Sequence, residues 1–239
     1  MFSTLVAIKE FDPTLIIDPI ERSEFAKYFE REAKILYNLN HSRTLRILDY
    51  IEKNGKLYIV MMLVDGTNLY EVLKKEGEQP EIRVRDWTLE LIEGLQYLHG
   101  SGYIHRDLKP ANLMLTKKGV VIADYGLARE YDPFHRERLV LGTMHFAAPE
   151  QHKGQIREEI DAYGLGATMF NLLTKRVPSK KNVKRLLQFR PDISMRTVRT
   201  IFSSMSQNPE TRPDLREIAE ELYFAGSFRR PNPLDVWLL

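Results

Sequence analysis

The sequence predicts an α+β chain of two unequal lobes, a small β-rich one followed by a larger helical one. Three observations predict it. Before residue 65, short apolar runs alternate with turn residues around a single helical stripe. Beyond Leu69 the apolar spacing becomes helical. Residues 161–174, DAYGLGATMFNLLT, are apolar on nearly every side, as in a helix enclosed by others.

The elements follow in order. Residues 4–9 read as a strand in which Val6, Ala7 and Ile8 lead to Lys9. Residues 23–39 read as a helix with Phe25, Phe29, Ala33 and Leu36 on one stripe. LRILDYIEKNGKLYIVMML reads as a hairpin turning at Asn54-Gly55. Asp65-Gly66-Thr67 is a connector. Val84, Trp87, Leu91, Leu95 and Leu98 form a helical stripe that stops at Gly100 and Gly102. LML, TKKG and VVIAD make a second hairpin, and Asp214 with Glu217 reads as a capping box opening LREIAEEL. KNVKRLLQFR, residues 181–190, reads as a solvated helical face, and His99 and His105 as packed core histidines. These elements divide the chain into residues 1–64, 65–226 and a proline-punctuated tail, 227–239, read as a frayed end or linker.

Composition narrows the function classes. The chain has 239 residues, 43% of them hydrophobic and 28% charged, with a net charge of +2. That balance suggests no dedicated nucleic-acid or membrane surface. Cysteine is absent, which rules out disulfides and thiolate metal sites and fits a reducing cytoplasm. MFSTLVAIKE lacks the features of a secretory signal, and no apolar run is long enough for a bilayer.

The chemistry begins with Lys9, an apolar run ending in a cation. Glu32 lies on the inward stripe of its helix, three residues after Phe29, and needs a partner. Lys9 is the candidate, either as a structural ion pair or as part of a site. HRDLKPANLMLTKKGVVIADYG, residues 105–126, is more specific. Asp107 and Lys109 sit in the loop after a glycine-terminated helix. Asn112 begins one hairpin strand and Asp124 ends the other, so the two should lie side by side. Their oxygens are hard ligands suited to Mg²⁺. Asp107 is free to accept a proton, and Lys109 supplies fixed charge. The set suits phosphoryl transfer, in which the protein positions groups and neutralises charge.

With VAIK, HRDLKPAN, DYG and AAPE in order between residues 6 and 150, the chain resembles a eukaryotic-type (Hanks-type) serine/threonine protein kinase. FDPTLIIDPIERSEFAKYFEREAKIL and FAAPEQ resemble bacterial members in style. The resemblance implies a bilobal kinase fold, ATP and Mg²⁺ as cofactors, and a protein substrate carrying serine or threonine. It implies that Lys9 holds the α- and β-phosphates and pairs with Glu32, that Asp107 orients the substrate hydroxyl, and that Lys109 steadies the γ-phosphate. Asn112 and Asp124 would bind Mg²⁺. Ala7, Met62 and Val64 would contact ATP, with Met61 beside the pocket. Arg106 would receive an activation-loop phosphate, Glu150 and Arg212 would form a buried pair, and Asp161 would hold the catalytic loop from below. Lys109 two residues after Asp107, with Thr143 in GTMHFAAPE, is the serine/threonine pattern.

Three departures from the family carry expectations. Tyr125 replaces the usual phenylalanine of that triplet, adding a hydroxyl that needs a partner, and Phe146 stands where tyrosine is common. Residues 124–150 hold no serine and only Thr143 as threonine, so ordinary Ser/Thr phosphorylation there is not the expected switch; Tyr131 is a lesser site. Only five residues precede Val6, and the first glycine is Gly55, so the family's glycine-rich loop and its two strands are missing from this sequence. Weaker ATP binding and an unpaired edge at Lys9's strand are expected, open to a second copy or a completing partner chain. The alternatives are a pseudokinase-like ATP-binding or scaffold module, or an N-terminally truncated start.

Overall fold

Alternation and turn chemistry build the first layer. In the computed structural model, which describes residues 5–130 and 143–223, strands β1 (Val6–Phe11), β2 (Ile47–Lys53) and β3 (Lys56–Met62) form an antiparallel sheet in the order β1-β3-β2. Asn54 and Gly55 turn β2 into β3 with φ of 54° and 73°, the left-handed pair a tight hairpin needs. β1 alternates exposed and half-buried residues, so Val6 and Ile8 face outward while Ala7, Lys9 and Phe11 face inward.

Helix α1 (Pro19–Asn38) packs on the sheet. It starts four residues before the expected 23. The Asp18 carboxylate accepts the N–H groups of Ile20 (2.7 Å) and Glu21 (3.0 Å), and Pro19 pre-sets the first turn. Phe29, Glu32, Ala33, Ile35 and Leu36 are buried. Phe25, expected on the same stripe, is 49% exposed, because its turn overhangs an open cleft and is not covered by the sheet.

The large lobe is assembled around α4 (Glu159–Thr174), in which every residue but Glu159 and Asn171 is buried. α3 (Glu81–Gly100) packs on it, and Val84, Trp87, Leu91, Leu95 and Leu98 of its apolar stripe are all buried. Each such leucine contributes about 1.5–3 kcal/mol by leaving water. α2 (Leu69–Glu76), α7 (Met195–Ser204) and α8 (Leu215–Tyr223) complete the lobe. Asp214 and Glu217 exchange reciprocal 2.8 Å bonds at the head of α8, the expected capping box.

Two short pairings depart from expectation. The connector at Asp65-Gly66-Thr67 becomes β4 (Gly66–Asn68), which pairs with β6 (Leu113–Thr116), itself joined to β7 (Gly119–Ile122). β5 (Tyr103–Ile104) pairs with β8 (Arg129–Glu130). Two- and three-residue strands carry too few residues for an alternation to be read. Residues 181–190 are not one solvated face. They belong to two single turns, α5 (Lys180–Val183) and α6 (Leu186–Phe189), with Val183 and Leu186 buried. Arg190 is also buried and donates to the carbonyls of Leu173 (2.6 Å) and Gln79 (2.9 Å).

The lobes are tied behind the site. The Tyr97 hydroxyl accepts the Asn40 N–H (2.9 Å), and Asn38 donates to the Tyr103 hydroxyl (3.0 Å). Among the described residues no helix is long and apolar enough to cross a membrane.

Candidate active site

The site starts from a strained loop held from below. α3 ends at Gly100, and the chain passes through β5 to His105, Arg106 and Asp107. Arg106 has φ +71°, a region unfavourable for a residue with a Cβ. Buried Asp161 of α4 holds this backbone by accepting the N–H groups of His105 (2.9 Å) and Arg106 (2.8 Å). His99 Nε2 adds a third contact to the same carboxylate at 2.8 Å, and Gln151 Nε2 donates to the Arg106 carbonyl at 2.9 Å. Burial pushes the Asp161 carboxyl up, but His99 and the backbone donors outweigh it and hold it below its ordinary value. Burial likewise pulls His99 down, and Asp161 overcomes it and holds the imidazole above its ordinary value. His105 is fully buried, edge-on to the Tyr125 ring at 5.3 Å. Both histidines are therefore packed, as expected.

Above this floor the reactive groups lock together. Lys109 Nζ donates to Asp107 Oδ2 (2.6 Å) and to Thr143 Oγ1 (2.6 Å). Thr143 Oγ1 donates in turn to Asp107 Oδ1 (3.0 Å). Asn112 Nδ2 donates to the Asp107 carbonyl (2.9 Å) and to Oδ2 (2.8 Å). The Asp107 carboxylate is thus fixed in one orientation by three side chains. Asn112 lies in a one-turn 3-10 helix, Pro110–Asn112, just before β6, and Asp124 lies two residues beyond the end of β7. The backbone partner of Asn112 is Ala123, whose N–H reaches its carbonyl at 2.8 Å, so Asn112 and Asp124 approach each other from the ends of the hairpin and not along its strands.

The small lobe brings the other half. Lys9 Nζ meets both oxygens of Glu32, at 2.8 and 2.7 Å, and Asp124 Oδ1 at 3.4 Å. Burial lowers Lys9, but Glu32 and Asp124 more than offset it and hold the ammonium above its ordinary value. Burial raises Glu32 against the pull of Lys9. With both carboxylate oxygens on one ammonium, the lysine direction governs and the pair is ionic. Asp124 is pushed up by burial, yet Lys9 and the Gly126 N–H (3.0 Å) bring it below the usual carboxylate range. A Cβ at Gly126 would stand 3.2 Å from Asp124 Oδ1, a tight contact that would press on that carboxylate, and 3.6 Å from Glu32, an ordinary one.

These groups line one cleft of about 500 Å³, which Lys9, Asp107, Lys109, Asp124 and Thr143 share with Tyr28 of α1. Ala7 lies on the same face of β1 as Lys9. Met61 is buried and Met62 is 44% exposed. Met62 and Val64, expected to contact ATP, border instead a separate cleft of about 500 Å³ with His41, Thr44, Leu45 and Arg46. Leu63, Val64 and Asp65 make no backbone hydrogen bond to other described backbone groups. Glu150 and Arg212 form the expected buried pair through two bonds of 2.5 and 2.8 Å. Arg106 is buried, and the stretch of the activation segment that includes Tyr131 lies outside the described residues, as does the tail from residue 227. The Tyr125 hydroxyl, expected to find a partner, has none among the described residues. Burial alone pushes its pKa well above the ordinary value.

Residues present fit a divalent cation with phosphates. Asn112 turns its nitrogen to Asp107, which leaves the amide oxygen for a hard ion, and Asp124, one residue past the Ala123 that pairs with the Asn112 backbone, offers an anionic oxygen. Sequence reasoning missed three contributors. Gln151 pins the loop backbone. Tyr28 carries the Arg129 guanidinium 4.5 Å from its ring centroid, joining α1 to the segment after Gly126. Phe25 borders the cleft. Only Gln151, one residue after Glu150, carried a positional signal.

Comparison with known proteins shows the family. The protein kinase domain family model matches residues 3–233. A probable serine/threonine-protein kinase of Streptomyces coelicolor is 36% identical over 183 residues, 72% of this chain and 27% of that protein. A serine/threonine-protein kinase of Myxococcus xanthus is 32% identical over 237 residues, 87% of this chain and 43% of its own length. Sperm motility kinase 3A of Mus musculus is 33% identical over 217 residues, 85% and 43%. The chain belongs to the protein kinase family, with bacterial serine/threonine kinases among its relatives. It spans 27% to 43% of the length of these three relatives.

Proposed function

We propose that this chain is a serine/threonine protein kinase domain, transferring the γ-phosphoryl group of ATP to a protein hydroxyl. The observation that carries the reading is the Asp107–Lys109–Thr143 triangle, closed by bonds of 2.6, 2.6 and 3.0 Å. When bound, ATP supplies the phosphoryl group and Mg²⁺ the neutralising charge. Asp107 aligns the incoming hydroxyl and takes its proton. Lys109 offsets charge at the transferring group while holding Asp107. Thr143 shapes the entrance for a short hydroxyl side chain. Glu32 braces Lys9, which takes the α- and β-phosphates, and Asn112 with Asp124 hold the cation. Ala7 lies against the nucleotide on the Lys9 face of β1, and the backbone of Leu63–Asp65, without a backbone hydrogen bond among the described residues, supports adenine binding there through main-chain groups and not through the side chains of Met62 and Val64. The cysteine-free sequence supports a reducing compartment such as the cytoplasm.

A second reading, a nucleotide-binding scaffold completed by another chain, is favoured by one observation. Among the described residues β1 pairs on one side only, so no described backbone amide covers the phosphates above Lys9.

One experiment separates the two. The purified chain is given Mg²⁺ and γ-labelled ATP, and label is followed into itself and a generic protein. Transfer that falls about 10²–10⁴-fold in Asp107→Asn, with unchanged melting, is the expected result. No transfer, with no ATP-dependent thermal shift, overturns it in favour of the scaffold.

A further inference from the structure

The helical lobe carries a charge that phosphoryl transfer does not use. From Ala162 to Pro191 the chain has no aspartate or glutamate, yet seven lysines and arginines, within a molecule whose net charge is only +2. Val183 and Leu186 turn inward, which sets Lys175, Lys180, Lys181 and Lys184 outward, and all four are exposed. Among the described residues no carboxylate lies within ion-pair distance of any of them. Two acidic groups that flank the segment are engaged elsewhere: Asp192 pairs with Arg190 at 2.7 Å, and Glu81 accepts from Ser194 and Thr197.

The base under these lysines is ordered. Ser179 Oγ caps α5, and Asn182 Nδ2 donates to the Val177 carbonyl at 3.0 Å. Asn171 Nδ2 donates to the Arg176 carbonyl at 2.8 Å, and Arg190 ties the segment to Leu173 and Gln79. The charges are therefore presented on a fixed surface, with little ordering entropy left to lose on binding.

Three anionic partners could meet such a surface, and its details favour one. Phe189 is its aromatic ring, and it is half-buried and already engaged by the guanidiniums of Arg176 and Arg185 at 4.2 and 5.1 Å, which disfavours it as a platform for stacked bases. α5 and α6 are single turns, and Val177 is the large exposed apolar residue between Lys175 and Arg190, so no apolar face is presented to a lipid interface. Compact ammonium groups on a short rigid surface match the carboxylates of an acidic peptide. We propose that Lys175, Lys180, Lys181 and Lys184 form a docking surface for an acidic segment of a protein substrate, apart from the phosphoryl-transfer site. The substrate assignment rests on the kinase reading; the binding itself does not.

Fluorescence anisotropy with a labelled peptide of alternating aspartate and glutamate tests the binding without ATP. The chain is compared with Lys180→Glu/Lys181→Glu/Lys184→Glu and with the corresponding triple glutamine variant, all checked by thermal melting. The expected result is salt-sensitive binding that weakens at least about tenfold on charge reversal and by an intermediate factor with glutamine. The reversed variant should also raise KM for a substrate bearing an acidic flank, with kcat unchanged and with a flank-free substrate unaffected. Absent binding, or equal binding by chain and variant, overturns the proposal. Patch-dependent binding of phosphatidylserine vesicles or single-stranded oligonucleotide in place of the peptide also overturns it. Peptide binding with an unchanged KM overturns the substrate assignment alone.

Discussion

Glu32 and Glu150 are both buried carboxylates that grip a cation with both oxygens, yet the two cations live in different surroundings. The Lys9 side chain is 39% exposed and rises from an edge strand. Arg212 is fully enclosed, donates also to the carbonyls of Glu159 and Ser206 (both 2.9 Å), and lies 5.0 Å from the Tyr163 ring centroid. The large-lobe pair is thus part of the framework, whereas the small-lobe pair is solvent-screened on the lysine side and can open. The difference teaches where this kinase domain keeps rigidity and where it leaves freedom: the loop carrying Asp107 is held by α4 through Asp161, and the small-lobe side of the cleft meets Asp124 through Lys9.

Arg212→Ala should break that contrast most severely. It leaves Glu150 buried without its cation and should lower stability by about 3–5 kcal/mol in urea unfolding. A loss no larger than that of Glu32→Gln would erase the distinction between the pairs. Tyr125→Phe acts at the seam between the lobes, where the Tyr125 N–H also reaches Glu32. Removing a buried hydroxyl that has no partner should stabilise the fold by about 1–3 kcal/mol, seen as a higher Tm. An unchanged or lower Tm would show that the hydroxyl is satisfied.

Glu32→Gln should cost about 1 kcal/mol or less of global stability while sharply lowering phosphoryl transfer, since Lys9 is screened by water yet needs its brace. Equal loss of stability and activity would mean the small-lobe pair is framework too. The smallest effect is a pH dependence. His99 is held above its unfolded value of 6.5, so its contribution is full below pH 6.5 and is lost as pH rises through the higher folded value. Stability measured across that window should decline, and His99→Gln should flatten the decline.

Much of the fold was legible because caps, turns and periodicity act locally. Asn54-Gly55, Gly100 and the Asp214–Glu217 box each declare themselves within a few residues. Asp18-Pro19 was equally readable as the true start of α1. The outward turn of Phe25 was not, because helical spacing says which residues share a stripe but not how far the covering sheet extends. Arg190 reads as one more basic residue in a charged run, yet Gln79, distant by 111 residues, supplies a carbonyl that buries it.

By itself the sequence determined the kinds of groups in the site and their order along the chain: Lys9, Glu32, Asp107, Lys109, Asn112, Asp124 and Thr143. Resemblance through four short motifs was enough to name the family. Only the tertiary structure decided that Asp107 is clamped by Lys109, Thr143 and Asn112, and that Asp161 holds a loop 55 residues away in a strained turn. It also decided that the Tyr125 hydroxyl is enclosed without a partner among the described residues, while four lysines stand uncompensated on the surface. The physical reason is range. Propensity and capping are settled by neighbours in sequence, whereas burial, charge compensation and hydrogen-bond satisfaction depend on which distant elements the packed core brings alongside.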